Sequence, residues 1–408
     1  MDRITRVRIS NVRAIASVDL ELSPFTVLIG ENGSCKSTIV ECLELLHKAA
    51  DASFFQRFYD LHRGMPGLLR KGATTLGLGV TIEDDTGQAP PIDYDFVLVP
   101  SGAGASVLAE RLLVSTGDTS EPVVALNRTP EGGEVFDEER AMVAPIPSGR
   151  LAPQQLALSG FGRMSPHKAI DRLLAVLTGV EVHLHFDTVA AWAARSYQFS
   201  LSMRGSTLYR PADRLSLLGF NFANAWAALK NMPSDHWNET IALVRLGIGD
   251  GIDTVNVEPD AGGGNVAVSI RRSDMSEPIP CSNLSDGQLS WLAFVAMARL
   301  NDKRSLLAID EPELHLHPSL LGRVVSLLAG LDTGAPVVLS THSDRVLELL
   351  DDPADAVRVC GLEGSRAVVS RIDANELPRW LERFGDLGQL RASGYLPRVL
   401  RPRGQEGT

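Results

Sequence analysis

Eight residues near the N-terminus constrain this chain more than any others: Gly30-Glu31-Asn32-Gly33-Ser34-Cys35-Lys36-Ser37. They follow an apolar run (Phe25, Val27, Leu28, Ile29) and open a segment with apolar residues at helical spacing (Ile39, Val40, Cys42, Leu43, Leu46). Strand, glycine-containing loop and helix in that order make a phosphate-binding loop, because backbone N–H groups at a helix N-terminus face an anion. In such a loop Gly30 to Cys35 and Thr38 line the cradle. Lys36 reaches the β- and γ-phosphates, and the Ser37 hydroxyl ligates magnesium. The ligand implied is ATP with Mg2+.

One position departs from the usual pattern, which has glycine immediately before the lysine. Here Cys35 stands there. Glycine adopts unusual dihedrals at no steric cost. A Cβ at a strained position costs about 1–3 kcal/mol, or roughly tenfold to hundredfold in affinity. A thiol beside Lys36 at a helix N-terminus also has a lowered pKa, and a thiolate competes with phosphate for the same donors. Weakened, oxidant-sensitive nucleotide binding is one reading. A tolerated substitution with slight relaxation of the loop is the other.

With 408 residues the chain has the length for a large core and two lobes. Apolar residues are 44% and charged ones 22%, an ordinary balance for a folded globular protein. The net charge of −11 argues against a broad basic coat, so any contact with nucleic acid uses a local patch. Cys35, Cys42, Cys281 and Cys360 show no paired spacing, which points away from a disulfide framework and from a zinc site. No apolar run nears the ~18 residues of a membrane span. The start Met1-Asp2-Arg3-Ile4-Thr5-Arg6 lacks a signal-peptide pattern, so a reducing cytoplasm is expected.

Residues 4–9 alternate, Ile4, Val7 and Ile9 against Arg6 and Arg8, as in a strand, and a second strand leads into a helix over 36–50. Strand-like runs follow at 76–82, 93–99 and 122–127, separated by Gly, Pro and Asp turns. The stretch 128–155 is rich in Pro, Gly and Glu and reads as containing an exposed loop. Grouped apolar residues at helical spacing occupy 167–177, 188–196, 221–230 and 235–246, the third with Trp226 as a core residue. Alternation returns at 253–258 and 265–271, and strand–helix–strand–helix follows through 361. There is no internal repeat and no heptad run long enough for a coiled coil.

Leu284-Ser285-Asp286-Gly287-Gln288 precedes a nearly all-apolar helix. A serine and a glycine at a helix start offer a hydroxyl and bare N–H groups to an anion. The pair Asp310-Glu311 ends the apolar run Leu306-Leu307-Ala308-Ile309. Asp310 suits a magnesium shell and Glu311 suits polarisation of an attacking water. The strand Val337-Val338-Leu339-Ser340-Thr341 delivers His342 to the carboxyl edge, where open α/β sheets bind ligands. There it is placed to donate to a γ-phosphate.

Taken together, the P-loop, Leu284–Gln288, Asp310-Glu311-Pro312-Glu313-Leu314-His315-Leu316-His317-Pro318 and Ser340-Thr341-His342-Ser343 resemble ABC-type ATPase heads. They look most like the stand-alone prokaryotic ATPases related to RecF, SMC and OLD (overcoming lysogenisation defect) proteins. Ile9-Ser10-Asn11-Val12-Arg13 is similar to that branch's first strand and turn. The resemblance covers roughly 1–50 and 280–350.

It implies an α/β P-loop fold with a mixed sheet, flanking helices and a mainly helical inserted lobe. Residues 1–155 and 247–375 are expected to be the two parts of the head, 156–246 the insertion, and 376–408 a C-terminal helix and tail. It further implies a homodimer that sandwiches two ATP molecules, in which Ser285, Gly287 and Gln288 of one chain serve the P-loop of the other. Leu314 to His317 fall at the interface-crossing D-loop, and Arg13 falls near the nucleotide. The family's magnesium-linked glutamine has no clear match, and Gln155 (or its neighbour Gln154) is the nearest candidate.

The long spacing from Lys36 to Ser285 excludes a plain transporter subunit, and the short tail leaves little room for a TOPRIM nuclease domain. The expected function is an ATP-dependent dimer switch in DNA-linked bacterial defence, with an effector partner and a possible contact to DNA or RNA. Its rivals are a degenerate nucleotide-binding scaffold and a RecF-like repair ATPase. Lesser features are His183 with His185, read as a solvated face sooner than a metal pair, and the basic tail Arg398, Arg401 and Arg403, read as a disordered solvated end.

Overall fold

The computed structural model describes residues 2–102, 104–115, 121–137, 142–146, 151–161, 167–189, 203–259, 264–301, 303–314, 316–331 and 334–400. Its organising element is a six-stranded sheet in the order Val180–His183, Leu306–Asp310, Val337–Thr341, Phe25–Gly30, Val357–Glu363, Arg366–Arg371. The first five strands run parallel, and the last is an antiparallel partner of Val357–Glu363. Because these strands are covered on both faces, they read as continuous apolar runs and not as alternation. Val27, Leu28, Ile29, Leu306, Leu307, Ala308, Val338 and Leu339 are all buried. Parallel register places Gly30, Asp310 and Thr341 at one carboxyl edge, where the loops that follow them meet.

A second, antiparallel sheet of eight strands stands beside it, ordered Ile15–Glu21, Asp2–Val12, Leu76–Asp84, Ile92–Ser101, Gly104–Val114, Val123–Thr129, Gly132–Asp137, Met142–Ile146. Asp2–Val12 buries Ile4, Val7 and Ile9 on one face although Ile4 and Val7 are odd-spaced. A register shift between Ile4 and Arg6 inserts the extra residue that keeps both inside. Two of these strands lie within the stretch 128–155 read as containing an exposed loop, and residues 138–141 and 147–150 of it lie outside the described residues. Gly132, Gly133 and Pro145 mask their alternation. The strand Gly104–Val114 and the helix Phe54–His62 had no counterpart in the sequence reading. The former is rich in Ala, Leu, Glu and Arg, residues that favour helices as readily.

The P-loop helix, Lys36–Ala49, buries Ile39, Val40, Cys42, Leu43 and Leu46 in the core between the two sheets. A third, smaller sheet (Ile252–Pro259, Asn265–Arg272 and two short strands) joins the helices Phe222–Lys230 and Ser234–Ile248 around a helix, Asp286–Leu300. That helix is buried all round from Leu289 to Met297, as its lack of a polar face requires. Trp291 donates its ring N–H to the Leu243 carbonyl at 3.0 Å. A Cβ on Gly247 would come within 2.2 Å of the Trp291 ring, so only glycine fits at this approach. Trp226 is fully buried here, edge-on to Trp237.

Within the span read as the insertion, Val180–His183 is the edge strand of the parallel sheet, so part of 156–246 belongs to the head. Of the helix expected over 188–196, residues 190–196 lie outside the described residues, and 188–189 are not helical. The chain from 372 to 400 is docked instead of solvated: Ile372 bridges Leu400, and Leu396 and Val399 are buried on either side of Arg398. Arg401 and Arg403 lie outside the described residues. No described helix is long and apolar enough to cross a membrane.

His183 is fully buried, not solvated, and contacts Glu181 at 2.8 Å. Glu181 also accepts from Arg304 Nε at 3.0 Å and Asn301 Nδ2 at 2.8 Å. Burial alone would raise the Glu181 pKa, but Arg304, His183 and Asn301 together outweigh it and hold the carboxyl down from 4.5 to about 2. A pKa depressed by folding stabilises the fold fully above the unfolded value of 4.5, and that stability is lost as the pH falls toward 2. Replacing Arg304 by Met leaves a buried carboxylate uncompensated, at a cost of about 3–5 kcal/mol. Thermal denaturation at pH 7 should show a Tm several degrees lower in Arg304→Met, with the deficit shrinking below pH 4.5; an unchanged Tm would contradict this account.

Candidate nucleotide site

Cys35 caps the P-loop helix with φ 77° and ψ 2°, the left-handed conformation that glycine supplies in the usual pattern. The strain expected from the sequence is therefore present in the loop. Its thiol lies against that of Cys360, which stands opposite Gly30 on the neighbouring strand. The Cys360 thiol lowers the Cys35 pKa, burial opposes the shift, and the Lys36 ammonium adds to it. A Cβ on Gly30 would come within 2.1 Å of the Cys360 carbonyl oxygen, so the loop starts flush on that strand.

Lys36 donates to the carbonyls of Gly30 at 3.0 Å and Glu31 at 3.1 Å. Burial lowers its pKa, against the opposing pull of Cys360, Glu311 and Asp310. The Ser34 hydroxyl is buried in the same loop with no partner among the described residues. Ser37 Oγ donates to Asp310 Oδ1 at 3.1 Å, and the Ser340 hydroxyl bonds the same oxygen. A lysine ammonium, an orphaned hydroxyl and exposed residues Glu31 to Gly33 at a helix start suit a polyphosphate. A hydroxyl beside a carboxylate suits a hard, oxygen-seeking cation. Thr38 follows, buried, on the first turn of the helix.

Glu311 follows the strand in a left-handed turn, φ 52°, and its N–H bonds the Ser340 carbonyl at 2.9 Å. The turn brings its carboxylate to His342 Nε2 at 3.0 Å. Glu313 then fixes the histidine's backbone: its Oε1 accepts from His342 N–H at 2.7 Å and Thr341 Oγ1 at 2.8 Å, while Oε2 is buried without a partner. Lys36, Ser37, Asp310, Glu311 and His342 thus meet at one sheet edge.

Arg13 adopts φ 48° and pairs with Glu41 of the P-loop helix at 2.7 Å, flanking the site. Gln155 packs its carboxamide over Gly160, within 2.5 Å of where a Cβ would sit. The groups that contact Ser37 or Asp310 among the described residues do not include it.

Ser285, Gly287 and Gln288 lie elsewhere. Ser285 Oγ accepts from Gln288 N–H at 3.3 Å, and Gln288 Oε1 accepts from Ser285 N–H at 3.1 Å, a reciprocal cap that leaves the helix start intact and exposed. Among the described residues, the side-chain hydrogen bonds of Ser285 and Gln288 stay within this cap and do not reach the P-loop. Arg204, a residue the sequence reading passed over, braces this loop from inside. It donates to the carbonyls of Leu284 at 2.6 Å, Ser282 at 3.2 Å and Cys281 at 3.3 Å, and pairs with Asp286 at 2.6 Å. A lone arginine in a loop carries no signal of that role. Leu314 is exposed, His317 caps the helix Pro318–Ala329, and His315 lies outside the described residues. No group of three or more His, Cys, Asp or Glu among the described residues is arranged to hold a metal.

Residues 3–98 match the family model "AAA ATPase domain", and residues 194–348 match "AAA domain, putative AbiEii toxin, Type IV TA system". The Old nuclease of Escherichia phage P2 is 35% identical over 91 residues, which is 22% of this chain and 15% of that protein. Over these stretches the chain is similar to AAA ATPase domains and to part of the Old nuclease. The SMC head bound to the C-terminal winged-helix domain of ScpA matches 92% of this chain and 99% of its own, with TM-score 0.51 and 13% identity. The Smc head with an extended coiled coil bound to the C-terminal domain of ScpA, from Pyrococcus furiosus, matches 94% and 99%, with TM-score 0.50 and 12% identity. At such identity these likenesses establish the P-loop fold alone.

The conformation of Cys35 has a direct consequence. Glycine at this position frees the loop to turn its N–H groups onto phosphate. Cys35→Gly should tighten Mg·ATP binding about tenfold, equivalent to ~1.4 kcal/mol. Isothermal titration reads the change, and equal affinities would remove the idea that this thiol weakens the site.

Proposed function

We propose that this ATPase head binds Mg·ATP and hydrolyses it as an ATP-dependent homodimer. The contact of Ser37 with Asp310 on one side and of Glu311 with His342 on the other carries this reading. Ser37 and Asp310 would hold magnesium, which screens the charge of the triphosphate. Gly30 to Lys36 and Thr38 bind the phosphates. Glu311 orients and deprotonates the attacking water, with its carboxylate fixed by His342. His342, its backbone held by Glu313, is the group that registers the γ-phosphate. Ser285 and Gln288 hydrogen-bond each other within their own cap and, with Gly287, are assigned to the nucleotide of a second copy, with Leu314 at the interface. Arg13 flanks the nucleotide, and Gln155 is kept as the magnesium-linked glutamine, although its carboxamide rests on Gly160.

The biological setting follows from the relatives. The match to part of the Old nuclease and to a model named for a toxin–antitoxin system supports DNA-linked defence in the bacterial cytoplasm. SMC heads bound to ScpA support a protein partner, here an effector, with DNA or RNA as a further ligand. A second reading rests on Cys35: with a side chain in the left-handed cap of the loop, the head acts as a nucleotide-binding scaffold with little or no turnover.

Glu311→Gln decides between the two. Removal of a general base lowers turnover about 10²–10⁴-fold. In the enzyme, phosphate release should fall by that factor while ATP stays bound and a dimer accumulates on size exclusion. Phosphate release that is nil in the natural protein, or unchanged in the variant, would leave the scaffold.

A further inference from the structure

The C-terminal segment enters the nucleotide site through one side chain, Arg391. It sits on the short helix Leu387–Ala392, whose Leu387 and Leu390 are buried with Leu321, Val325, Val346 and Leu347 in a third core beneath the sheet edge. Gly388 lets this helix lie against the loop after the histidine strand: a Cβ there would already be 3.2 Å from Asp344 Cβ. From that position the Arg391 guanidinium donates to the His342 carbonyl at 3.3 Å and pairs with Asp344. It also stands 3.9 Å from the Glu31 carboxylate in the P-loop.

His342 is therefore gripped at both of its peptide groups. Glu313, from the loop after Asp310-Glu311, takes its N–H. Arg391, from the far end of the chain, takes its carbonyl. With both peptide planes fixed, the imidazole has little freedom except about its side-chain bonds, and its Nε2 is delivered to Glu311 at 3.0 Å. We propose that Arg391 is a positioning residue for the hydrolytic step: it holds His342 in line with Glu311. The role rests on the assignment of Glu311 and His342 to hydrolysis. It gives the C-terminal helices a direct influence on turnover, and none of the P-loop, the Leu284–Gln288 loop or the acidic pair contains this residue.

Two variants separate positioning from packing. Arg391→Met keeps the aliphatic stem and loses the donors; Arg391→Lys keeps a charge and a donor. Misplacement of a catalytic group by about 1 Å lowers rate about a hundredfold, so kcat of Arg391→Met should fall about tenfold to a hundredfold with ATP affinity within about threefold. Arg391→Lys should recover most of the loss. NMR chemical shifts of the His342 ring at fixed pH supply a readout that needs no turnover: in Arg391→Met they should move toward those in Glu311→Gln, and in Arg391→Lys they should stay near the natural positions. Natural kcat together with unmoved His342 ring signals in Arg391→Met would overturn the inference, as would equal damage from both variants. Should the natural protein bind ATP without releasing phosphate, the hydrolytic reading fails, and the His342 ring signals still decide whether Arg391 holds the ring.

Discussion

Everything functional in this head depends on the parallel pairing of three strands. Leu306–Asp310, Val337–Thr341 and Phe25–Gly30 are distant in sequence and adjacent in register, so the loops that follow Gly30, Asp310 and Thr341 leave the sheet side by side. Burial on both faces supplies the driving force, and the interstrand hydrogen bonds fix where each strand ends relative to its neighbour. A slip of one residue would move every side chain of a strand to the opposite face and shift its catalytic end out of line. The contacts of Ser37 with Asp310 and of Glu311 with His342 are consequences of that register.

The parts most legible in the sequence are those in which backbone conformation and chemistry are specified together. Gly30 to Ser37 announces a strand, a loop and a helix at once, and Asp310 and Glu311 close an apolar run whose length already says strand. Cys35 is instructive in the same way. The reason glycine is usual at that position is a positive φ, and the cysteine adopts it. The antiparallel sheet was less legible. Gly104–Val114 carries helix-forming residues that take strand conformation only because neighbouring strands offer hydrogen bonds on both sides. The strands Gly132–Asp137 and Met142–Ile146 are short, one opening on two glycines and the other carrying Pro145, and tertiary pairing, not propensity, makes them.

Side chains that act through other residues were the least legible. Arg204 and Arg391 sit far in sequence from the loops they hold, and nothing in their immediate neighbours marks them. Glu313 stood within the acidic motif but with no stated role until its bond to the His342 N–H gave it one. His183 illustrates the converse. Its spacing from His185 invited thoughts of metal or of a solvated face, whereas Glu181 and Arg304 draw it into the interior as part of a charged cluster. Spacing along a chain reports which face a residue occupies. It does not report what will be packed against that face.

On the proposed reading a protomer carries two unlike half-sites: a phosphate-binding half at the sheet edge and the capped helix start braced by Arg204. The direct test of a pocket completed by a second copy is complementation between two inactive variants. Lys36→Ala damages only the first half and Ser285→Arg only the second, so neither alone should release phosphate. Mixed together, they form some dimers with one intact composite pocket, and phosphate release should reappear in the mixture. A mixture that stays inactive, with both variants folded and the natural protein active under the same conditions, would contradict the account.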